Sequence, residues 1–163
     1  MRLVVDSNVV FTIVITGDKS KAFRIIRDHD LILYFPEDGL LEFKKHKDKL
    51  KKYSKEFELK SFLAFSLIHV IPSEIYEDKI SEAYNMAKQF DEKDTPLIAL
   101  ALKLNIPIWT NDRKIIEYSI RSGKYLALDS ESLEDLLKGA NINEIKRKLM
   151  KRYNLSKVKQ VDE

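Results

Sequence analysis

Leu3-Val4-Val5-Asp6-Ser7-Asn8 and, far along the chain, Ile106-Pro107-Ile108-Trp109-Thr110-Asn111-Asp112 are short apolar runs that each give way to small polar and acidic side chains. A continuous apolar run of this length, without alternation, reads as a strand covered on both faces. Three further runs have the same character. They are Leu31-Ile32-Leu33-Tyr34-Phe35, closed by Pro36; Leu67-Ile68-His69-Val70-Ile71, closed by Pro72; and Tyr125-Leu126-Ala127-Leu128. The run at 67–71 is read as a strand or as the end of a helix.

Helix-period stretches lie between them. Ala22, Phe23, Ile25 and Ile26 share a face after Asp18 or Ser20 as cap, and Ile75, Tyr76, Ile80, Ala83, Tyr84 and Ala87 share one after Ser73. Leu97 to Leu104 starts with Pro96 in its first turn, and Gly123 and Gly139 suit left-handed helix ends. Strands separated by helices and too distant for hairpins imply right-handed crossovers. The expected fold is a three-layer α/β/α sandwich with a mostly parallel central sheet. Ligands of such sheets bind beyond the carboxyl ends of the strands.

The chain has 163 residues and no cysteine. The first number fits one domain with a core of its own. The second excludes disulfide scaffolds, iron–sulfur clusters, thiolate zinc sites and a cysteine nucleophile. No run of 18 apolar residues occurs, so no membrane-spanning helix is expected. Asp6 interrupts any secretory leader, which makes a cytoplasmic location the expectation. The four glycines (17, 39, 123 and 139) form neither a phosphate loop nor a dinucleotide fingerprint. His29, His46 and His69 are too scattered for a metal triad and read as surface residues, and Ser7 has no histidine partner for a hydrolase triad.

The net charge of +3 is unevenly spread. Residues 44–60 carry a local +5 and residues 141–160 a local +6, which leaves −8 on the other 126 residues. Charge alone fits two solvated lysine-rich helix faces; an acidic body with two basic patches also suits a polyanion gripped at its edges while a cation sits among the acids. Phe57, Phe62 and Phe65, beside the first lysine run, could stack bases but are expected in the core. In the tail, Ile142, Ile145, Leu149 and Met150 lie on one side of a helix, with Lys146, Arg147, Lys148, Lys151 and Arg152 around the exposed surface.

Asp6 and Asp112 leave two buried strands at the same sheet edge. Asp94 stands just before Pro96, with Asp91 three residues earlier, and Glu42 lies about two turns into a helix opened by Pro36. Leu40, Leu41 and Phe43 suggest that this part of the helix is largely buried. An aspartate at a helix start can act simply as a cap, but a half-buried glutamate in mid-helix cannot. Carboxylates gathered in one crevice repel one another unless a cation neutralises them. Without cysteine, an all-oxygen site selects a hard ion, Mg²⁺ or Mn²⁺.

The segments V-V-D-S-N-V-V at 4–10, P-E-D-G-L-L-E at 36–42, D-E-K-D-T-P-L-I-A-L-A-L at 91–102 and I-P-I-W-T-N-D at 106–112 together resemble a PIN domain over about residues 1–130. The resemblance implies a nuclease whose carboxylates bind Mg²⁺ or Mn²⁺ and cut RNA, usually single-stranded. The matching metal and catalytic positions are Asp6, Glu42, Asp94 and Asp112. Ser7, Asn8 and Thr110 match the polar neighbours that orient metal, water or phosphate. Where many members carry a further aspartate this chain has Lys114, with Ile115 in place of an aromatic, and Asp91 could contribute instead. Residues 1–140 are read as the nuclease domain and 141–163 as a basic helical tail outside the resemblance, whose Lys146 and Arg147 contact RNA or which instead docks on a partner protein or a second copy of the chain.

The resemblance implies either the toxin of a toxin–antitoxin pair or an RNA-processing enzyme, with an antitoxin protein and a homodimer as possible assemblies. The alternatives are a receiver-like signalling domain and a degenerate PIN fold that binds RNA without cutting it. In a receiver, paired acids follow strand one, whereas a single Asp does so here.

Overall fold

The computed structural model describes residues 1–155; the part of the tail reading that falls on 156–163 lies outside the described residues. The strands β1 (Arg2–Val5), β2 (Ile32–Pro36), β3 (His69–Ile71), β4 (Ile108–Trp109) and β5 (Ala127–Leu128) form one sheet, parallel throughout, in the order β3-β2-β1-β4-β5. Helices α1 (Ser7–Thr16) and α2 (Lys21–Asp28) connect β1 to β2, and α3 (Glu37–Tyr53) and α4 (Phe57–Ser66) connect β2 to β3. The return to β4 runs through α5 (Ser73–Tyr76), α6 (Ile80–Ala87) and α7 (Thr95–Leu104). Helix α8 (Arg113–Ser122) leads to β5, followed by α9 (Ser130–Leu137) and α10 (Ile142–Arg152).

Right-handed crossovers set the layers. While the chain steps outward from β1 to β3 its helices lie on one face, where α1 packs against α2, α3 and α4. When it reverses toward β4 and β5 they lie on the other face, where α7 covers β1, β2 and β4. Helix α9 returns to the first face beside α2. The reversal falls between β1 and β4, which is the switch point where the carboxyl ends of the strands leave a crevice. A receiver-like fold has the order 2-1-3-4-5. The observed order excludes it.

Leu3, Val4 and Val5 are buried on both sides of the sheet, which accounts for their unbroken apolar run. The indole N–H of buried Trp109 donates to Ser130 Oγ at 3.0 Å. The regular parts of β4 and β5 are shorter than the apolar runs at 106–109 and 125–128. The ladder nevertheless continues backward, since Val4 N–H donates to the Pro107 carbonyl and Ile108 N–H to the Leu126 carbonyl. Leu67 closes α4 through an N–H bond to Ala64, and the strand begins only at His69. Ser20 is the residue that caps α2, accepting from Phe23 N–H at 3.0 Å.

Three expectations about burial and one about ion pairing need correction. The stretch 73–87 is not one helix: a 3₁₀ turn at Glu77–Lys79 breaks the phase between α5 and α6. Tyr76, Ala83 and Ala87 therefore face inward, while Ile75 and Tyr84 are exposed. In α3 the buried stripe is Gly39, Phe43 and Leu50. Leu41 and Glu42 fall outside it, and Leu41 is 58% exposed. Phe57 and Phe65 pack on Phe43, but Phe62 stands 75% exposed. Gly39 is obligatory for a packing reason, because a Cβ there would lie 2.3 Å from the ring of Phe35.

The fourth correction concerns α10. Ile145 and Leu149 are buried and the helix packs on α9, as its apolar edge suggests. Two of its cations, however, are held by body residues rather than spread on a free surface. Lys148 pairs with Asp135 at 3.0 Å, and the Arg152 guanidinium pairs with Asp129 and, at 3.0 Å, with Glu131. Burial raises the Asp129 carboxyl, but bonds from Arg152, Ser132 and Tyr153 outweigh it and leave the group below the usual carboxylate range. Among the described residues no helix is long and apolar enough to cross a membrane.

Candidate active site

Asp6 directly follows β1 and Asp112 follows β4, so the two strands that flank the switch point deliver them side by side. Asp94 stands at the start of α7, and Glu42 enters from the second turn of α3. All four line one cleft of about 600 Å³, together with Ser7, Asn8 and Asp91. Asp6, Asp94 and Asp112 each immediately precede a helix, α1, α7 and α8 respectively. The partial positive charge of three helix starts thus offsets part of the crowding of negative charge.

Capping accounts for only one of these three carboxylates. Asp112 Oδ1 accepts from Lys114 N–H at 2.8 Å, whereas Asp6 and Asp94 make no side-chain cap bond. Asp6 is held by other means. Its N–H donates to the Trp109 carbonyl at 2.9 Å, its Oδ2 accepts from Thr110 Oγ1 at 2.6 Å, and Ser7 Oγ lies 3.4 Å from its Oδ1. Thr110 is 0% exposed and is not part of the cleft lining. Its hydroxyl also accepts from Asp112 N–H at 3.0 Å and from Asn8 Nδ2 at 3.5 Å. It therefore ties the two strand-end acids together, and it has no surface to offer a substrate. Ser7 Oγ reaches across to Glu42 Oε2 at 3.0 Å.

The electrostatics record the crowding. Burial pushes the Asp94 carboxyl up to about 7, and the neighbouring Asp6, Asp91, Asp112 and Glu42 add to the effect. Asp6 is also raised, chiefly by burial, although the Thr110 and Ser7 bonds oppose the rise. The donors gathered there are oxygens of carboxylates and hydroxyls, which suit a hard divalent ion. The chemistry of the donor set fits Mg²⁺ or Mn²⁺. Among the described residues no three Asp, Glu or His side chains are close enough to enclose an ion as they stand. The fit rests on charge and donor type, without a preformed shell.

Other residues of the pattern sit as follows. Asp91 accepts from Lys93 N–H at 3.0 Å and opens the 3₁₀ turn that carries Asp94. Lys146 and Arg147 are exposed on α10 and do not line the cleft. His46, read as an ordinary surface residue, does line it, as do Lys45 and Lys93. Asp38 was missed altogether: it lines the cleft and accepts from Tyr76 Oη at 2.7 Å. The available signal was its position four residues before Glu42, which puts both on one helix face.

The sequence profile of the PIN domain matches residues 4–139. No curated protein sequence matches the chain. Among solved structures, the fold is similar to a chain of the crystal structure of VapBC2 from Rickettsia felis bound to a DNA fragment from their promoter. The TM-score is 0.60 at 15% identity, covering 79% of this chain and 98% of that one. At that identity the likeness speaks for the fold, while the profile spans most of the sequence. With the acids where the fold puts them, at the ends of β1 and β4, the chain belongs to the PIN-domain family.

Proposed function

We propose that this PIN domain is a metal-dependent endoribonuclease that cleaves single-stranded RNA by attack of water on the phosphodiester. PIN domains are in general nucleases. The observation that carries the reading is the convergence of Asp6, Glu42, Asp94 and Asp112, from four separate elements, on one solvent-open cleft at the switch point.

Asp6, Asp94 and Asp112, with Glu42, would hold Mg²⁺ or Mn²⁺, and Asp91 would add an oxygen from the other wall. When bound, such an ion neutralises charge on the scissile phosphate and lowers the pKa of water. The remaining work falls to the protein. Thr110 fixes the orientation of Asp6 by its 2.6 Å bond. Ser7 occupies Oε2 of Glu42 and leaves Oε1 to accept a proton from water at the cleft mouth. Asn8 lines the cleft and its amide can meet a phosphate oxygen. In-line attack opposite the 3′ oxygen leaves a 5′-phosphate and a 3′-hydroxyl.

The biological setting would be that of a toxin held by an antitoxin protein, or of an RNA-processing enzyme, acting in the cytoplasm and as a homodimer. A short antitoxin-like reading frame beside the gene would favour the first. The activity is tested by cleavage of end-labelled single-stranded RNA with Mg²⁺, Mn²⁺ or chelator. Cleavage that requires metal and falls at least a hundredfold in Asp6→Asn and Asp112→Asn is expected. Cleavage that survives chelator, or the double substitution, would sink the assignment.

A further inference from the structure

Helix α3 carries more than Glu42. Asp38, Leu41, Glu42, Lys45 and His46 all line the acidic cleft. On a helix, residues three and four apart share a face. The row through Asp38, Glu42 and Lys45 therefore continues with Lys49 and Lys52. Gly39, Phe43 and Leu50 hold another side of the helix against the body. At 1.5 Å per residue, Lys45, Lys49 and Lys52 stand about 4.5, 10 and 15 Å beyond Glu42 along the axis. All three are exposed, and among the described residues none has an ion-pair partner. Lys51, off this row, is instead paired with Glu58 at 3.3 Å.

An acidic cleft repels the polyanion it is to cut, and cations at its mouth must counter that repulsion. In α10, Lys148 and Arg152 are engaged with body acids and no residue of the helix lines the cleft. We propose that α3 is the backbone track of the site: Lys45, Lys49 and Lys52 hold phosphates of a single strand on one side of the scissile bond and feed it to the carboxylates. This rests on the nuclease reading, because it takes the ligand of the cleft to be nucleic acid.

The test is equilibrium binding of a labelled single-stranded RNA to the full chain in chelator, where nothing is cleaved, over a range of salt concentrations. Removing one phosphate-binding cation should flatten the slope of log affinity against log salt by about 0.7. The triple variant K45Q/K49Q/K52Q should flatten it by about 2 and weaken binding at least tenfold at low salt. A charge-matched triple, K19Q/K88Q/K124Q, removes the same charge from exposed positions that do not line the cleft, and should move the slope by less than about 0.5. Circular dichroism verifies that both remain folded. A wild-type slope in the α3 triple, or equal flattening in both triples, overturns the track and leaves the nuclease reading standing. Absence of salt-dependent RNA affinity in the wild type likewise overturns the track, while metal-dependent cleavage of the same RNA decides the nuclease reading separately.

Discussion

Replacing Asp94 by Asn should stabilise the metal-free protein, by an amount that depends on pH. In the folded chain this carboxyl is pushed up from its ordinary 3.8 to about 7. Between those values the folded state holds a proton that the unfolded state has released, so stability falls as pH rises through the window. At about 1.4 kcal/mol per pH unit the full effect would be about 4 kcal/mol. Asp94 is only half-buried, and solvent screening reduces this to about 1–2 kcal/mol. Asn loses no cap bond, since Asp94 makes none. Thermal melts in chelator should therefore coincide below pH 4. The variant should gain steadily up to about pH 7 and lead by about 2–8 °C above it. Saturating Mn²⁺ should reverse the order. A site filled at a hundred times its Kd adds about 2.7 kcal/mol to the wild type and little to the variant. A variant less stable than wild type at pH 8 without metal, or a difference that ignores pH, refutes the electrostatic account.

Thr110→Val keeps the shape of a buried side chain but removes the donor to Asp6 and the acceptor for Asp112 N–H. It should cost about 1–3 kcal/mol in denaturant titrations and at least tenfold in cleavage, with Thr110→Ser restoring both; an active Val variant would show that Asp6 is oriented by something else. Arg152→Leu leaves the buried Asp129 carboxylate without its cation and should cost about 3 kcal/mol at pH 7. Without the cation, burial raises the Asp129 carboxyl of the variant, so that cost should shrink as pH falls through this raised value and vanish once the wild-type carboxyl, held below its ordinary 3.8, takes up its proton as well. A penalty that stays constant down to pH 2 would place the role of Arg152 in packing alone.

The parallel sheet was legible because burial on both faces leaves its strands no polar alternation, as Leu3–Val5 and Ile108–Trp109 show. The acids at the strand ends were legible for a related reason. A strand buried to its last residue can turn polar only where it leaves the sheet, and in a doubly wound fold that edge is where ligands sit. Sequence reasoning failed where rotation about a helix axis decides the outcome. Glu42 looked half-buried because Leu40, Leu41 and Phe43 surround it, but the stripe is phased on Gly39, Phe43 and Leu50, one residue's turn away. Leu41 is exposed as a result, and Asp38, Lys45 and His46 come to line the cleft with Glu42. The clue to that phase was Gly39, whose missing Cβ lets Phe35 lie against the helix, and a glycine in mid-helix is normally read as a weakness rather than as a packing contact. The basic tail misled for another reason. Charge counted along the sequence takes no account of partners brought in by the fold, and Asp129, Glu131 and Asp135, all on or just before α9, neutralise cations that appeared free. Among the described residues of the two lysine-rich segments, those of α3 bring unpaired cations to the cleft, so the RNA contact proposed for them depends on the helix phase and not on the number of lysines.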